Sequence, residues 1–398
     1  VKIAAINSMS VGSTGRIMIE IGKQSKIDNL EYIGYCGNWV KNQPLNECVR
    51  FGFRVENFVS AILYRITGIQ HVGSILGTLS LIRKLKKYNP DVIHIHNLHL
   101  WVLNVPMLFR YIKRQNIPVI WTLHDCWAFT GQCPHFTMAK CEKWKTGCHD
   151  CVQYKQYPKS YVDRTGIMWK LKKKWFTGVN NVTIVTPSQW LADLLKKSFL
   201  HEYPIRVIHN GIDLSVFKPT EKSFRTAHKL EDKYIVLGVS FGWGKSKGLD
   251  VFIELSKSLP DSYQIVLVGT NGNTDRMLPD NILSIHTTHN QIELAGIYTA
   301  ADVFVNPTRE ENYPSVNMES LACGTPVLTF KTGGSPEILN EACGFVVDSE
   351  DVNTLQNIII RICEEKPYSK ETCIKHSKNF EAKDRFKEYL ELYKEVVE

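Results

Sequence analysis

The chain has 398 residues, too many for one ordinary core, so two domains are expected. Its 43% hydrophobic content fits a globular protein, and no run of eighteen apolar residues offers a membrane-spanning helix. Residues 1–205 carry 27 Lys and Arg against 12 Asp and Glu and the remainder 21 against 28, so the first half suits an anionic lipid, nucleic acid or phosphorylated substrate.

Val1 to Ile6 reads as a first buried strand. It lacks the basic, long apolar, then small pattern of a secretory leader, so a cytoplasmic location is expected. Val11-Gly12-Ser13-Thr14-Gly15-Arg16 follows it and opens a helical pattern over Gly15 to Gln24. A glycine-rich strand-to-helix turn lets backbone N–H groups approach a phosphate, although glycines also merely make turns. Arg16 is a phosphate or acceptor contact, with a plain surface arginine as the competing reading. Tyr32 to Tyr35, Val92 to Ile95, Val119 to Leu123 and Thr183 to Val185 are further short strands, and Val105 to Arg114 is a helix. Strands alternating with helices imply parallel sheets in a doubly wound domain.

His94 and His96 close one strand on a shared face, and His124-Asp125 close the next. Such a strand end faces the ligand side of a parallel sheet. A satisfied structural histidine is the alternative for His124, and the absence of a nearby third ligand in sequence argues against metal at His94 and His96. Cys133, Cys141, Cys148 and Cys151 lie within nineteen residues and end in C-x-x-C, a spacing that can wrap a structural Zn²⁺. The segment lacks strand or helix periodicity, so a metal would supply what a core does not. His135 or His149 could replace one thiol, disulfides and chance buried cysteines are the rivals, and Cys126 reads as packing. Trp169-Lys-Leu-Lys-Lys-Lys-Trp175-Phe176 and Ile82-Arg-Lys-Leu-Lys-Lys87 mix basic and apolar residues. Each reads either as a solvated helix face or as peripheral contact with an anionic membrane. No nucleic-acid motif accompanies the charge, so no nucleic-acid partner is expected.

The domain boundary is placed near Ile205, before Val207-Ile-His-Asn-Gly-Ile-Asp213. Tyr234 to Val239, Gln264 to Val268, Asp302 to Asn306 and Pro326 to Phe330 are strands of the second domain, and Leu249 to Ser258 is a helix. Lys245-Ser-Lys247-Gly248 follows a strand end, where two lysines can neutralise a diphosphate. Glu311-Asn-Tyr-Pro-Ser-Val-Asn-Met-Glu319 carries two carboxylates seven residues apart. Pro314 can open a helix, because its missing N–H would be unsatisfied there. Glu319 would then lie more than a turn inside that helix, with Glu311 in the loop before it. The N–H groups around Ser315, Val316 and Asn317 form a site for phosphate. A carboxylate on each side of an anion suits a nucleotide sugar, with ribose at one end and the sugar ring at the other. Thr332-Gly333-Gly334 is a glycine turn near the expected donor, and Asn379 to Glu398 is a charged amphipathic helix.

The E-x7-E segment closely resembles the signature of retaining glycosyltransferases of the GT-B fold, family four. The Gly12–Gly15 loop, the His124-Asp125 pair, Asn210-Gly211-x-Asp213 with Phe217, Lys247-Gly248 and the Gly333 turn resemble further elements of that family. Thr122 to Cys151 is similar to an insertion in bacterial capsule and exopolysaccharide glycosyltransferases. The resemblance implies two Rossmann-like α/β domains facing across a cleft: residues 1–205 with the Cys-rich insertion 126–151, then 206–378, then a helix 379–398 crossing back. It implies transfer of a sugar from a UDP- or GDP-linked donor to a saccharide or polyprenyl-linked saccharide acceptor, with retention and no catalytic metal. His124 would reach the transferred sugar. Lys247, with Lys245 beside it, would hold and stabilise the diphosphate, and Glu311 and Glu319 would hold sugar and ribose. The usual upstream arginine is missing, with Gly242-Trp243-Gly244 in its place. The competing functions are a nucleotide-sugar epimerase of the same fold and a catalytically silent binding protein. Donor incubated without acceptor separates the first, and donor affinity without turnover the second.

Overall fold

In a computed structural model, which describes residues 1–37, 48–221 and 223–398, short apolar runs form the strands of two parallel sheets. The first sheet holds β1 (Lys2–Asn7), β2 (Glu31–Gly37), β3 (Val49–Phe51), β4 (Val92–Ile95), β5 (Val119–Thr122), β6 (Val182–Thr186) and β7 (Ile205–Val207). Its order is β3-β2-β1-β4-β5-β6-β7, so the chain reverses direction of growth between β1 and β4. Every pairing is parallel. Parallel neighbours need crossover connections, and helices such as Gly12–Ile27, Ile75–Tyr88 and Val105–Gln115 supply them.

The second sheet holds β8 (Tyr234–Val239), β9 (Tyr263–Val268), β10 (Ile282–Ile285), β11 (Val303–Asn306), β12 (Val327–Phe330) and β13 (Gly344–Val347). Its order, β10-β9-β8-β11-β12-β13, is again doubly wound and parallel, with the reversal between β8 and β11. The central strands are apolar on both faces because helices cover both sides. Ligands of such sheets bind beyond the carboxyl ends of the strands, where the order reverses.

The chain divides into two units, Val1–Ile208 with Phe386–Glu398, and His209–Arg385. The end of the last helix, Ala382–Glu395, therefore belongs to the first unit. There Tyr389 and Tyr393 pack on His94, with ring centroids 5.4 and 5.6 Å away.

Two readings of the first half change. In the helix Thr165–Phe176, Trp169 is only 8% exposed and Phe176 and Lys172 are fully buried. The aromatic side of this helix is therefore a core face, while Lys170, Lys173 and Lys174 stay exposed on the other side. Lys172 is buried because its ammonium donates to the Trp127 carbonyl at 2.8 Å and sits 3.7 Å from the centre of the Trp127 ring. The cysteine-rich segment also has a core of its own. Trp144 is fully buried, stacked on Phe136 and edge-on to Phe129, both at 5.1 Å.

Candidate functional site

In the second unit the ends of β8 and β11 bring the two informative motifs together. After β8 the chain makes a tight turn, Lys245–Lys247, and enters the helix Leu249–Ser258. After β11 it runs through Thr308, Arg309, Glu310 and Glu311 to the helix Ser315–Ala322. The Lys247 ammonium donates to Glu311 Oε2 at 2.8 Å, and the Asn312 N–H donates to Glu311 Oε1 at 3.1 Å. The carboxylate is thus fixed between a cation and a backbone donor. Lys245, on the same turn, is exposed.

Pro314 is extended (φ −75°, ψ 116°) and precedes the helix, so Ser315 and not Pro314 begins it. Among the described residues, no side chain caps this end. Ser315 is exposed and Val316 half-exposed, so the helix presents its positive end to solvent. Asn317 is buried and turned inward, where its carbonyl oxygen accepts from Asn306 Nδ2 at 2.8 Å. Its side chain ties the helix to β11. Glu319 is half-buried and accepts from the Tyr298 hydroxyl at 3.0 Å. Burial, and then the Glu319 charge, push the Tyr298 hydroxyl well above its ordinary pKa, which keeps it a donor.

Gly333 fits the Glu311 loop closely. Its φ is +57°, and a Cβ there would stand 2.0 Å from the Glu311 carbonyl oxygen. The next N–H, of Gly334, donates to the Asn312 carbonyl at 2.8 Å. The glycine turn is therefore a buttress for the signature loop.

Arg309 is the residue that sequence reasoning missed. It is 8% exposed, and its guanidinium bridges Asp250 (2.7 and 3.0 Å), Glu350 (2.5 and 2.8 Å) and the Lys245 carbonyl (2.5 Å). Its backbone N–H donates to the Ser246 carbonyl at 2.8 Å. Arg309 therefore holds the lysine turn against the signature loop. The signal was a lone basic residue two positions ahead of Glu311 in an acidic run. The Tyr313 ring stacks on His209 at 4.8 Å and 15°, another contact that local pattern does not reveal.

In the first unit, Asn7 at the end of β1 stitches the glycine loop together. Its amide donates to the Met9 carbonyl at 2.9 Å, and its carbonyl oxygen accepts from the Asn97 N–H at 3.1 Å. Gly12 begins the helix Gly12–Ile27, again without a side-chain cap. Gly15 is buried where a Cβ would meet the Ser10 carbonyl carbon at 2.5 Å, so this close passage requires glycine. Arg16 is exposed.

The strand-end histidines form a buried row. His94 is hydrogen-bonded to the Tyr393 and Thr122 hydroxyls at 2.6 and 2.8 Å, and His96 Nδ1 lies 3.1 Å from His124 Nε2. Among the described residues, His96 Nε2 is buried without a hydrogen-bond partner. Burial, and then the neighbouring His124, hold His94 down to about 3. Burial holds His124 down to about 4 although Asp125 opposes this. These imidazoles are neutral near pH 7. Burial raises the Asp125 carboxyl, but His99, 3.2 Å away, and the Trp127 N–H outweigh it and keep Asp125 ionised.

The four thiols expected to hold zinc lie near enough to act on one another's charge: after burial, Cys151 and Cys148 help to push Cys133 up, and Cys141 and Cys151 help to push Cys148 up. Among the described residues no group of three or more His, Cys, Asp or Glu side chains is placed to hold a metal ion. Cys133, Cys141 and Cys148 pack against the aromatic core, Cys148 Sγ accepts from the Gly131 N–H at 3.2 Å, and Cys151 is half-buried. His149 is exposed beside Asp150.

Two family models match the chain in succession, Glycosyltransferase Family 4 over residues 54–216 and Glycosyl transferases group 1 over residues 220–380. The glycosyl transferase WcaC of Escherichia coli K12, named for colanic acid biosynthesis, is 27% identical over 275 residues, covering 66% of this chain and 65% of its own. The match thus spans just under two thirds of that relative. The sucrose-phosphate synthase of Thermosynechococcus elongatus superposes with a TM-score of 0.73 at 19% identity, over 99% of this chain and 98% of its own. Anabaena HepE, solved with UDP-glucose, superposes with a TM-score of 0.68 at 14% identity, over 99% of both chains. With its two doubly wound parallel sheets and both sequence regions in order, the chain belongs to the group 1 glycosyltransferases of the GT-B fold, with a family 4 region preceding the group 1 region.

Proposed function

We propose that the protein transfers a sugar from a UDP- or GDP-linked donor to a hydroxyl of a saccharide or polyprenyl-linked saccharide, with retention, in surface polysaccharide synthesis. The observation that carries this reading is the Lys247–Glu311 pair, 2.8 Å apart, beside the uncapped start of the helix Ser315–Ala322. The N–H groups of Ser315 and Val316, with Lys247 and Lys245, hold the diphosphate. Glu319 takes the ribose hydroxyls and Glu311 those of the sugar ring. As the acceptor oxygen bonds to the anomeric carbon, the bond from that carbon to the diphosphate oxygen breaks. The electron pair leaves with the nucleoside diphosphate, and the hydroxyl proton passes to the departing oxygen. Fixed positive charge at the diphosphate favours that step most, because negative charge develops there. In the first unit, neutral His124 and the Gly12–Gly15 turn with Arg16 offer polar groups to a saccharide. Glu311 acts as a hydroxyl acceptor, not a nucleophile. WcaC, named for colanic acid biosynthesis, and HepE, solved with UDP-glucose, support the pathway and donor classes. A lipid-linked acceptor would place the work at the inner face of an anionic membrane.

Glu319→Ala is expected to weaken donor binding, and Lys247→Ala to slow diphosphate release, measured as nucleoside diphosphate formed from a panel of nucleotide sugars with a mixed acceptor pool. Parent-like turnover in both variants would overturn the assignment. Proton NMR of the anomeric signal in the product tests retention.

A further inference from the structure

The helix Arg54–Thr67 is built inside out. Val55, Phe58, Val59, Ile62, Leu63 and Ile66 recur at spacings of three and four, which puts them on one stripe. That stripe faces solvent, with exposures from 39% at Ile62 to 77% at Val55. The opposite, buried face carries Asn57, Ser60, Ala61 and Tyr64. This orientation is fixed by polar contacts on the inner side. The Ser74 hydroxyl donates to Asn57 Oδ1 at 3.1 Å, the Ser60 and Ser74 hydroxyls are 3.1 Å apart, and the Tyr64 hydroxyl donates to the Pro158 carbonyl at 2.8 Å. Rotating the helix to bury its apolar stripe would break all three.

The patch continues past the helix. The Glu56 carboxylate accepts from the Leu76 and Gly77 N–H groups at 2.7 and 2.9 Å, joining the start of the helix Ile75–Tyr88 to it. Ile75 and Leu76 are 49% and 60% exposed there, and Phe53 is 55% exposed at the other side. Glu56 is the only acid between Phe53 and Leu76, and its charge is engaged by those two N–H groups. The rim is cationic. Arg54 and Arg65 stand exposed at the two ends of the helix. The Tyr161 N–H donates to the Arg65 carbonyl at 2.8 Å, bringing up an exposed tyrosine ring with the Lys159 ammonium 5.6 Å from its centre.

We propose that this face is a docking surface for an anionic lipid bilayer, with the helix Arg54–Thr67 lying in the interface. An apolar stripe sinks among acyl chains, and arginine, lysine and tyrosine sit at headgroup level. Charge complementarity selects this occupant, because the rim offers cations and its acid is already engaged. The surface gives the lipid-linked acceptor of the proposed function a place to be met, and rests on that reading for its purpose alone.

The test is flotation of the full chain with vesicles of phosphatidylcholine alone and with about 30 mol% phosphatidylglycerol, without nucleotide sugar. The parent chain floats with the anionic vesicles. Phe58→Asp with Ile62→Asp lowers the bound fraction by about tenfold or more, and Arg54→Glu with Arg65→Glu removes the preference for phosphatidylglycerol. Both variants keep the parent's circular dichroism and nucleotide binding, since neither pair lies in the donor residues. Parent chain that stays unbound, or an aspartate variant that floats like the parent, overturns the proposal. So does a lipid-free dimer by light scattering that the aspartate variant makes monomeric, which would assign the face to a second copy. Vesicle binding and donor turnover are read separately, so either can fail alone.

Discussion

Replacing Arg309 with methionine keeps most of the side-chain volume and removes the guanidinium. All five of its N–H donors are engaged, by two carboxylates and one carbonyl. Charge-assisted bonds are worth ~1.5–3 kcal/mol each in favourable settings, and breaking a fully buried pair costs ~3–5 kcal/mol. Here the carboxylates are half open, 47% exposed at Asp250 and 61% at Glu350, so water replaces much of what they lose. Exposed pairs contribute ~0–1 kcal/mol each, and the lost bond to the Lys245 carbonyl adds ~1 kcal/mol, for a total of ~2 kcal/mol. The second consequence is functional. The Lys245–Lys247 turn loses the side chain that fixes it to the signature loop, so nucleoside diphosphate binding is expected to weaken about tenfold, or 1.4 kcal/mol. Urea unfolding reads the first effect, and calorimetric titration with UDP and GDP the second. Arg309→Lys should recover only part of either, because one ammonium cannot span three partners. An Arg309→Met chain with the parent's urea midpoint and the parent's affinity would refute the positioning role.

Gly333→Ala places a methyl group against the Glu311 carbonyl oxygen at a left-handed backbone position, so the loop must move; turnover is expected to fall about a hundredfold and the melting temperature to fall with it. Parent-like turnover would show that the loop yields at no cost. The buried histidines should make the first unit acid-sensitive. His94 and His124 titrate near 3 and 4 when folded and near 6.5 when unfolded, so their stabilising contribution is whole above pH 6.5 and is lost as pH falls towards those values. The urea midpoint should drop between pH 6.5 and 5, by at least ~1.4 kcal/mol of stability per pH unit, and His94→Asn should flatten the slope. Trp144→Ala removes the centre of the cysteine-rich segment and should cost ~3–5 kcal/mol in a denaturant melt.

The legible parts of the sequence were those where one residue type has one physical use. Val92-Ile-His-Ile95 and Tyr234 to Val239 are apolar on both faces and were readable as central strands. Edge strands were not. Ile282–Ile285 is partly exposed and Val49–Phe51 is three residues long, so neither shows a continuous apolar run. The Lys247–Glu311 contact joins two motifs visible in the sequence, but Arg309 depends on partners 59 and 41 residues away, and no local pattern carries that information. Periodicity also misled about direction. A helical stripe says that one side differs from the other, not which side meets the core. Trp169 and Phe176 turned inward. The cysteine-rich segment lacked periodicity because its aromatics pack through turns and short 3₁₀ pieces, which have no regular repeat.

Tyr393 sits on the histidine row that β4 and β5 build almost three hundred residues earlier. The first unit is therefore discontinuous, and a nascent chain must carry an incompletely sealed N-terminal fold through synthesis of the whole second unit. Until the last tyrosines emerge from the ribosome, His94 lacks its phenolic partner and holds only Thr122.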